Sequence, residues 1–412
     1  QHHDLRQLCR RRRSVKAVFI YDAIRSARTK AKPSGGLHEL TPPQLLKPLY
    51  GALAARNQLD PTRIAEIILG CVTQHGEQAA NIAKTSALYA GWPEDVAGLT
   101  VHRFCSSSVD AIALAGLKIA TGQSTAMVAG GIEMMSRVPM LSDHARVFND
   151  PDYALAHQML LMGSGADLIA TRLGVSREAC DAVAHQSQQR AAQAQREGRF
   201  KSIIAIETSH GWIDQDECVR ETLTLEKLAA LPPAFATLGA AGADHTQLAK
   251  FPELTAIQHV HTAGNSPAMC DAAALILMGD EQLGKTLGIE PKARLVSSTT
   301  ACAEPLEVVS GCVTAAQKLL LEQQRSADTI DLFEIHEAFS ATILKARQTL
   351  EIEPDKQNVN GGVIALGHPM GATGAIMAGT LIDELHRQQL TSGVVAASGA
   401  AGSGSALLLE RC

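Results

Sequence analysis

The segments VHRFCSSS at residues 101–108 and NGGVIALGHPMGATG at residues 360–374 are the most informative parts of this chain. Each carries one reactive side chain, Cys105 or His368, at the end of an apolar run and just before small residues that favour a helix. Turns between a strand and a helix are places where a nucleophile or a base becomes exposed. A cysteine and a histidine in such turns predict acyl transfer through a thioester.

The two segments also begin an approximate internal repeat. Each reactive turn is followed by a predicted helix and then by a predicted apolar strand. The helices are predicted over residues 109–122 and 371–385, and the strands over residues 126–129 and 394–397. Alternating strand and helix signals predict an α/β protein with a doubly wound parallel sheet and ligand sites at strand ends. Two such units packed together would bring one reactive turn against the other.

The middle of the chain has a different composition. Residues from about 137 to 258 are richer in polar and charged groups, which we interpret as an inserted lid or loop domain. One clear helix is predicted over residues 176–195, where a serine starts the helix and Gly198 closes it. Residues 231–250 contain two adjacent prolines and several glycines and are predicted to be irregular.

Composition narrows the class of protein. With 412 residues, of which 46% are hydrophobic and 3% aromatic, the chain predicts two or three domains with aliphatic cores. The net charge of -5 gives no general attraction for nucleic acid, and the basic run at residues 10–13 lies in a tail. The nine cysteines show no spacing typical of zinc sites or of a disulfide framework.

The cysteines and the lengths of the apolar stretches also indicate the cellular compartment. Scattered free cysteines suit a reducing compartment, and no apolar stretch reaches the roughly 20 residues that a membrane-spanning helix needs. The first 14 residues lack the apolar core of a secretory signal, which leaves a tag remnant, an alternative start or a basic leader as explanations. We therefore expect a cytoplasmic protein without a transmembrane segment.

Several further segments, in order along the chain, resemble the thiolases, which cleave or form 3-ketoacyl-CoA. Besides the two reactive segments, they are GCVTQ (70–74), VAGGIEMMS (128–136), QRAA (189–192), EGRF (197–200), TAGNS (262–266) and HEAF (336–339). The resemblance covers nearly the whole chain from about Lys16 onward. It implies a layered αβαβα fold of two duplicated βαβ-type halves, with an inserted loop domain that covers coenzyme A.

The resemblance also implies domain limits and partners. The expected division is a tail at 1–15, an N-terminal half formed by 16–136 and 258–285, a loop domain at 137–257 and a C-terminal half at 286–412. The implied substrates are acyl-CoA and CoA, with no metal or redox cofactor. A homodimer or homotetramer is expected. The HEAF form, which looks like that of thiolases in fatty-acid oxidation complexes, points to a hydratase/dehydrogenase partner subunit.

Family roles can be carried over to individual residues. Cys105 is expected to accept the acyl group, helped by the start of a helix that favours the thiolate and lowers its pKa. His368, held between glycines and Pro369, is expected to take the proton from Cys105 and later to activate the CoA thiol. His336 stands where many thiolases carry asparagine and is expected to donate a hydrogen bond to the thioester oxygen. The alternative is a histidine satisfied by Glu337 or by backbone groups.

Ser398 departs from the family pattern, because most thiolases carry a second cysteine at this position. A serine hydroxyl is far less acidic than a thiol, so proton transfer at the acetyl carbon is expected to slow by a factor within roughly 10² to 10⁴. Cys302 is considered as a replacement because it follows a predicted strand. The backbone amides of Cys105 and Ala400 match the family's oxyanion hole, which does not depend on side chains.

Three residues are expected to contact CoA. Arg220 and Ser266 align with regions that touch its adenine, phosphate or pantetheine groups, although the family serine often stands at Pro267. Met162 is expected to form an apolar wall beside the pantetheine. The main alternative function is a non-catalytic or impaired thiolase-like subunit that binds CoA esters. A decarboxylating ketoacyl synthase shares the cysteine and histidine logic but fits the glycine context of His368 less well.

Overall fold

A computed structural model describes residues 15–412, so the basic run at residues 10–13 and nearly all of the predicted tail lie outside the described residues. The strands are β1 (Val18–Arg25), β2 (Thr29–Lys30), β3 (Glu66–Gly70), β4 (Ala97–Val101), β5 (Ala126–Met134), β6 (Ile206–Thr208), β7 (Gly211–Ile213), β8 (Cys270–Gly279), β9 (Ala293–Cys302), β10 (Leu332–Ile335), β11 (Ser392–Ser398) and β12 (Ser403–Arg411). The helices are α1 (Pro42–Arg56), α2 (Ile82–Tyr89), α3 (Ser107–Ala120), α4 (Arg146–Asn149), α5 (Pro151–Ala156), α6 (Met162–Leu173), α7 (Arg177–Arg196), α8 (Leu225–Ala229), α9 (Ala236–Leu238), α10 (Asp244–Lys250), α11 (Glu281–Leu287), α12 (Gly311–Glu322), α13 (Ser340–Leu350), α14 (Val363–Leu366) and α15 (Thr373–Gln388).

The main strands follow one another in a single hydrogen-bonded path. The order is β10-β11-β12-β9-β1-β8-β5-β3-β4, with β2 paired to β8, while β6 and β7 form a separate hairpin. The strands β1 and β9 share three residue pairs, from Val18↔Leu295 to Ile20↔Ala293. This narrow junction joins a first sheet, from β1 to β4 along the path, to a second sheet formed by β9 to β12.

The strand directions correct the expectation of a doubly wound parallel sheet. β3 runs parallel to β4 and β5, and β10 runs parallel to β11. In contrast, β8 runs antiparallel to β1 and β5, and β12 runs antiparallel to β9 and β11. The reason is clearest for β12, because only residues 399–402 separate it from β11. A connection that short joins antiparallel strands, whereas a parallel crossover needs a dozen or more residues.

Three apolar cores arrange the elements in five layers. The central core joins α3 and α15 to side chains from both sheets, among them Ile68 and Met127 of the first sheet and Val395 and Leu407 of the second. The helices α1 and α2 pack on the outer face of the first sheet, and α12 and α13 pack on the outer face of the second. The predicted αβαβα layering is confirmed.

The two central helices touch each other at their first turns. A Cβ atom on Gly374 would lie 2.4 Å from Val109 Cγ2 and 2.8 Å from its backbone nitrogen, so only glycine allows this approach. The Ser108 hydroxyl accepts a hydrogen bond from the Ala375 backbone N–H at 2.9 Å. Since Cys105 precedes α3 and His368 precedes α15, this contact brings the two reactive turns to the same place.

Residues 137–257 carry most of the short helices. The predicted helix at 176–195 is present as α7, which begins where the Ser176 hydroxyl accepts the Ala179 N–H. The prediction of an irregular segment at 231–250 was wrong in part, because α9 and α10 lie there, joined by a π-type turn at Gly239–Ala243. The buried Gln247 holds α10 by donating to the backbone oxygens of Ser164 and Leu306. Within residues 15–412, none of the helices has the length and hydropathy required to cross a membrane.

Candidate active site

One cavity of about 350 Å³ contains reactive side chains from both halves of the chain. Its wall is mostly apolar, and its polar side chains are Thr73, His102, Cys105, Asp143, Ser266, His336, His368 and Ser398. The structure therefore brings together Cys105, His368, His336 and Ser398, which lie up to 293 residues apart in sequence. A largely apolar pocket with a few converging polar groups is the usual form of a small-molecule site.

Cys105 lies in a tight turn between β4 and α3. Phe104 adopts the left-handed conformation, with φ of 49°, which turns the chain sharply just before the cysteine. The Ser106 hydroxyl donates to the Arg103 carbonyl at 2.8 Å, and the Ser107 hydroxyl accepts the Arg103 N–H at 2.9 Å. The serines that follow Cys105 thus fix the turn, and the thiol faces the cavity.

The surroundings of Cys105 favour the neutral thiol over the thiolate. Burial raises its pKa to about 12, and the nearby carboxylate of Glu133 acts in the same direction. A backbone N–H at the turn before α3 lowers the pKa, but burial and Glu133 outweigh it, so the expected net decrease is not found. Cys105 therefore needs a base beside it before it can attack a thioester or a ketone.

His368 is held as a neutral base. Its backbone N–H donates to the Ala268 carbonyl at 2.7 Å, and its Nδ1 lies 2.8 Å from the Thr373 hydroxyl, which leaves Nε2 for the cavity. Burial lowers the pKa of His368 well below its ordinary value, and the neighbouring His336 and Arg28 add to this effect. The preceding Gly367 has φ of 103°, which favours glycine. A neutral imidazole at this position can accept a proton at neutral pH.

His336 lies directly against His368. The two ring centres are 4.6 Å apart, and burial lowers the pKa of His336 to about 4. Neither ring nitrogen of His336 has a hydrogen-bond partner of normal geometry within residues 15–412, although the Ser398 backbone is near enough to oppose the effect of burial on the pKa of the ring. Glu337 does not satisfy it, since that carboxylate accepts hydrogen bonds from the Ser187 hydroxyl and the Ile364 N–H instead. His336 is thus a buried, neutral ring with hydrogen-bonding capacity left for a ligand.

The hydroxyl of Ser398 is already engaged by the main chain. It donates to the Val309 carbonyl at 2.8 Å and accepts the Cys312 N–H, at the start of α12, at 2.9 Å. The side chain borders the cavity at the end of β11 but is almost fully buried. Cys302, considered as a replacement for a cysteine here, is exposed at the end of β9 and does not line the cavity.

Two backbone amides at the cavity have free donor capacity. Cys105 and Ala400 both line the cavity, and neither backbone N–H donates a hydrogen bond to another group among the described residues. Backbone amides without partners are rare in folded proteins, so two of them in residues that line one cavity suit an oxygen that gains negative charge. The Ala400 carbonyl accepts hydrogen bonds from Ser403, which fixes the orientation of this turn.

Two of the three residues predicted to contact CoA line the cavity, and the third does not. Met162, at the start of α6, and Ser266 line the cavity, as does Pro267. The Ser266 hydroxyl donates to the Thr262 carbonyl at 2.6 Å. Arg220 is exposed and does not line the cavity, so its predicted contact with CoA stays a prediction. Within residues 15–412, no cluster of three or more histidine, cysteine or acidic side chains could hold a metal ion.

A buried carboxylate fixes the position of the cavity wall and of the turn after His368. Glu133 accepts hydrogen bonds from the N–H groups of Val72, Thr73 and Gly371, at 2.9 to 3.1 Å, and from the Gln78 amide at 2.8 Å. Burial raises the pKa of Glu133, yet these four neighbours all donate to it, and such a set stabilises the ionised form. Glu133 thus connects the first half of the chain to the turn that follows His368.

Sequence reasoning missed two residues that line this cavity, His102 and Asp143, and one that supports its wall, Glu133. His102 belongs to the first reactive segment, so its polar side chain three positions before Cys105 was an available signal. Asp143 follows no recognisable pattern, because its place in the wall depends on how residues 137–161 fold back. Glu133 lies within the VAGGIEMMS segment, but its role depends on Gly371, which is 238 residues away.

Comparison with known proteins agrees with this geometry. Residues 18–282 match the family Thiolase, N-terminal domain, and residues 289–411 match Thiolase, C-terminal domain. A 3-ketoacyl-CoA thiolase of Colwellia psychrerythraea is 33% identical over 407 residues, which are 96% of this chain and 99% of that protein. A 3-ketoacyl-CoA thiolase of Shewanella frigidimarina is 36% identical over 409 residues, which are 96% of this chain and 100% of that protein.

A solved structure shows the same likeness in three dimensions. The crystal structure of the Bacillus anthracis acetyl-CoA acetyltransferase superposes with a TM-score of 0.82 at 31% sequence identity, covering 97% of this chain and 100% of that one. The matches span both halves of the chain and include the two reactive turns and the layered fold around them. The chain belongs to the thiolase family.

Proposed function

We propose that the chain is an acetyl-CoA C-acyltransferase that cleaves 3-ketoacyl-CoA with CoA, or runs the reverse condensation, through an acyl group on Cys105. The observation that carries this proposal is that Cys105, His368 and His336 meet in one cavity. The similarity to proteins named 3-ketoacyl-CoA thiolase supports the same reaction. The comparisons do not favour the alternative of a non-catalytic subunit.

The first half of the reaction needs one base and two oxyanion sites. Neutral His368 takes the proton of Cys105, and the thiolate attacks the 3-keto carbon while the N–H groups of Cys105 and Ala400 hold the developing oxyanion. Cleavage of the carbon–carbon bond leaves the acyl group on sulfur and releases the enolate of acetyl-CoA, whose oxygen His336 can hold. The proton on His368 is available to return to the enolate carbon.

The second half uses the same base again. The neutral His368 takes the proton of the incoming CoA thiol, and the CoA thiolate attacks the acyl thioester. The shortened acyl-CoA leaves, and His368 returns the proton to Cys105. Nucleophile, base and hydrogen-bond donors suffice for every step, so we propose that no metal or redox cofactor takes part.

Ser398 affects the rate of the reaction but not the order of its steps. Its hydroxyl is bound to Val309 and Cys312 and is a poor acid, so we propose that proton transfer at the acetyl carbon is the slow step. The acyl transfer to and from Cys105 does not need this side chain. Assembly as a homodimer or homotetramer, a hydratase/dehydrogenase partner and a cytoplasmic location stay predictions.

The acyl group on Cys105 provides the test. Purified protein is mixed with acetyl-CoA or a 3-ketoacyl-CoA, quenched in acid and measured by intact mass, followed by peptide mapping. We expect a mass increase of one acyl group on Cys105 and none in Cys105→Ala. Cys312→Ala serves as a matched control, because this buried cysteine lies outside the cavity wall and its loss should leave the adduct. Folded protein that forms no adduct would refute the proposal.

A further inference from the structure

A second, much smaller cavity lies beside His336. It has a volume of about 10 Å³, which is a space for one water molecule. All of its lining residues except Gly362 are buried, so it is an internal cavity. His336 is the one residue that lines both this internal cavity and the reactive cavity. The other side chains with polar groups at the internal cavity are Arg28, Glu334, Glu337 and Thr380.

Three residues at the internal cavity have hydrogen-bonding capacity that the protein does not fill. Both ring nitrogens of His336 and the Nε of Arg28 lack a partner of normal geometry in the described part of the chain. The carboxyl group of Glu334 accepts no hydrogen bond from the described residues, whereas that of Glu337 accepts from a hydroxyl and a backbone N–H. Buried polar groups are nearly always paired, either with protein or with ordered water. One water in the internal cavity would serve all three residues.

The strand β10 determines why Glu334 and His336 reach the same cavity. Glu334 lies within β10 and His336 directly follows it. The His336 N–H donates to the Ala396 carbonyl at 2.9 Å, so the pairing with β11 continues through this residue. Side chains two positions apart point to the same face of an extended strand. Glu334 is therefore placed on the side of β10 that carries the reactive histidine.

Glu334 is a buried acid that the proposed reaction has not used. Burial raises the pKa of Glu334 well above its ordinary value, and the nearby Glu337 and Glu384 add to this effect. The positive charges of Arg28 and Arg190 act in the opposite direction. Glu334 thus holds a proton more firmly than an exposed glutamate does, while its carboxylate form has cations near it. Such a group can both give and take back a proton.

We propose that one water in the internal cavity links Glu334 to His336, and that Glu334 supplies through them the proton that the acetyl enolate needs. The inference rests on the proposed function, because it requires the enolate that cleavage at Cys105 releases. Ser398 is not available for this transfer, since its hydroxyl is bound to two backbone groups. Glu334 does not touch the substrate, so it is a positioning residue that places a proton on His336.

The protons balance over one turnover. His336 gives its N–H proton to the enolate carbon, which forms the new C–H bond, and its other nitrogen takes a proton from the water. The water takes the carboxyl proton of Glu334, which leaves a carboxylate near Arg28. The proton that His368 took from Cys105 then returns to Glu334 through His336, whose ring centre is 4.6 Å from that of His368. The net change equals a direct return of the proton from His368 to the enolate.

Hydrogen exchange at the acetyl carbon separates this step from acyl transfer. The protein is incubated with acetyl-CoA in D₂O, and mass spectrometry measures two rates: deuterium uptake into the acetyl methyl group and formation of acetyl-Cys105. In Glu334→Gln, we expect deuterium uptake to fall by a factor of roughly 10² and acetyl-Cys105 formation to stay within about twofold. The first rate needs proton transfer at carbon, whereas the second uses His368. A purely structural effect would lower both.

Two further variants make the comparison specific. Val363→Ile adds one methyl group to the wall of the internal cavity and leaves Glu334 in place. It should displace the water and cause the same selective loss, and it carries the test if Glu334→Gln does not fold. Glu307→Gln makes the same change at a buried glutamate that lines neither cavity, and it should keep both rates.

The Ser398→Cys background provides a second check. Its thiol supplies the proton directly, so Glu334→Gln should lower deuterium uptake there by less than about threefold. A full loss in this background would contradict the inference. Deuterium uptake that is absent from the wild type or unaffected by Glu334→Gln, or an equal loss of both rates, would also overturn it. A folded wild type that forms no acetyl-Cys105 would refute the proposed function instead.

Discussion

At the scale of single residues, the hydroxyl oxygen of Ser398 is the atom whose replacement should change the chemistry of the site most. Replacing its oxygen by sulfur in Ser398→Cys supplies a far more acidic group at the end of β11, beside the two histidines. We expect the steady-state rates of thiolysis and condensation to rise, by up to a factor of roughly 10² to 10⁴, because a positioned acid–base group contributes about that much. The rate of acyl-Cys105 formation should stay nearly unchanged, since that step uses His368.

The matched variant for this prediction is Ser398→Ala. It removes the hydrogen bonds to Val309 and Cys312 without adding a thiol, so it should not accelerate either reaction and should cost about 1 kcal/mol of stability. Both variants are compared by initial rates and by denaturant midpoints. A Ser398→Cys enzyme with an unchanged or lower rate would show that the site uses a different proton carrier.

The two buried histidines determine the response to pH. The pKa of His336 is lowered to about 4 and that of His368 lies well below its ordinary value, so both rings stay neutral in mildly acidic solution. We expect kcat/KM for acyl-Cys105 formation to stay level from about pH 7 down to about pH 5. A half-loss near the ordinary histidine pKa of about 6.5 would contradict the burial of these rings.

The same shifts bear on stability, with a definite sign. A histidine whose pKa is lowered in the folded state binds its proton more weakly than in the unfolded chain. Between about pH 6.5 and about pH 4, the unfolded state therefore binds more protons, and the free energy of unfolding falls as the pH decreases through this window. His336→Asn removes one of the two groups and should flatten this part of the stability curve.

At the level of elements, the turn before α15 packs closely against the end of β3 because Gly371 has no side chain. A Cβ atom on Gly371 would lie 2.8 Å from Cys71 Cα and 2.9 Å from both the Gly70 carbonyl oxygen and a carboxylate oxygen of Glu133. The first two atoms belong to the backbone, and the Glu133 carboxylate cannot move away freely because four hydrogen bonds hold it. We expect Gly371→Ala to lower the free energy of unfolding by about 1 to 3 kcal/mol and to slow acylation of Cys105.

Gly51→Ala provides the control for that substitution. Gly51 lies inside α1, and no atom would come within 4 Å of the added Cβ. The change should raise stability by roughly 0.5 to 1 kcal/mol, since alanine is the better helix former. Urea unfolding of the two variants measures both effects, and equal responses would show that crowding at Gly371 is not the determinant.

The elements that sequence analysis located well are those with a strong local pattern. The helices α3 and α15 and the strands β5 and β11 follow the two reactive segments as predicted, because apolar periodicity and small residues are local signals. The direction of β12 and the helices α9 and α10 were not foreseen. Their conformations depend on partners far away in the chain, such as the backbone oxygens that hold Gln247.

The site shows the same division between local and distant information. Cys105 and His368 can be identified from the residues that flank them in the sequence. Other features of the site arise only when the chain folds. They are the place of Leu238 in the cavity wall, the hydrogen bond that the Gly371 N–H donates to Glu133, and the hydrogen bond that the Ser398 hydroxyl donates to Val309. The raised pKa of Cys105 belongs here as well, because it is caused by burial and by the carboxylate of Glu133, which only folding brings near.

At the scale of the whole molecule, the halves share one hydrogen-bonded sheet path and one central core. We therefore expect residues from both halves to unfold in a single transition. Trp92, which is buried in the outer core of the first half, reports on that half by fluorescence. Hydrogen exchange of β11 and β12 amides reports on the second. Denaturant curves from the two probes should coincide, and an earlier transition of the second half would contradict this expectation.

The place of β1 in the sheet also affects how the protein is made. This strand lies between β8 and β9, so that Phe19 is paired with Gly279 and Arg294. During synthesis at about 5 to 20 residues per second, β1 leaves the ribosome on the order of tens of seconds before either neighbour does. Its apolar face must be shielded for that time, which makes the nascent chain a natural client for chaperones.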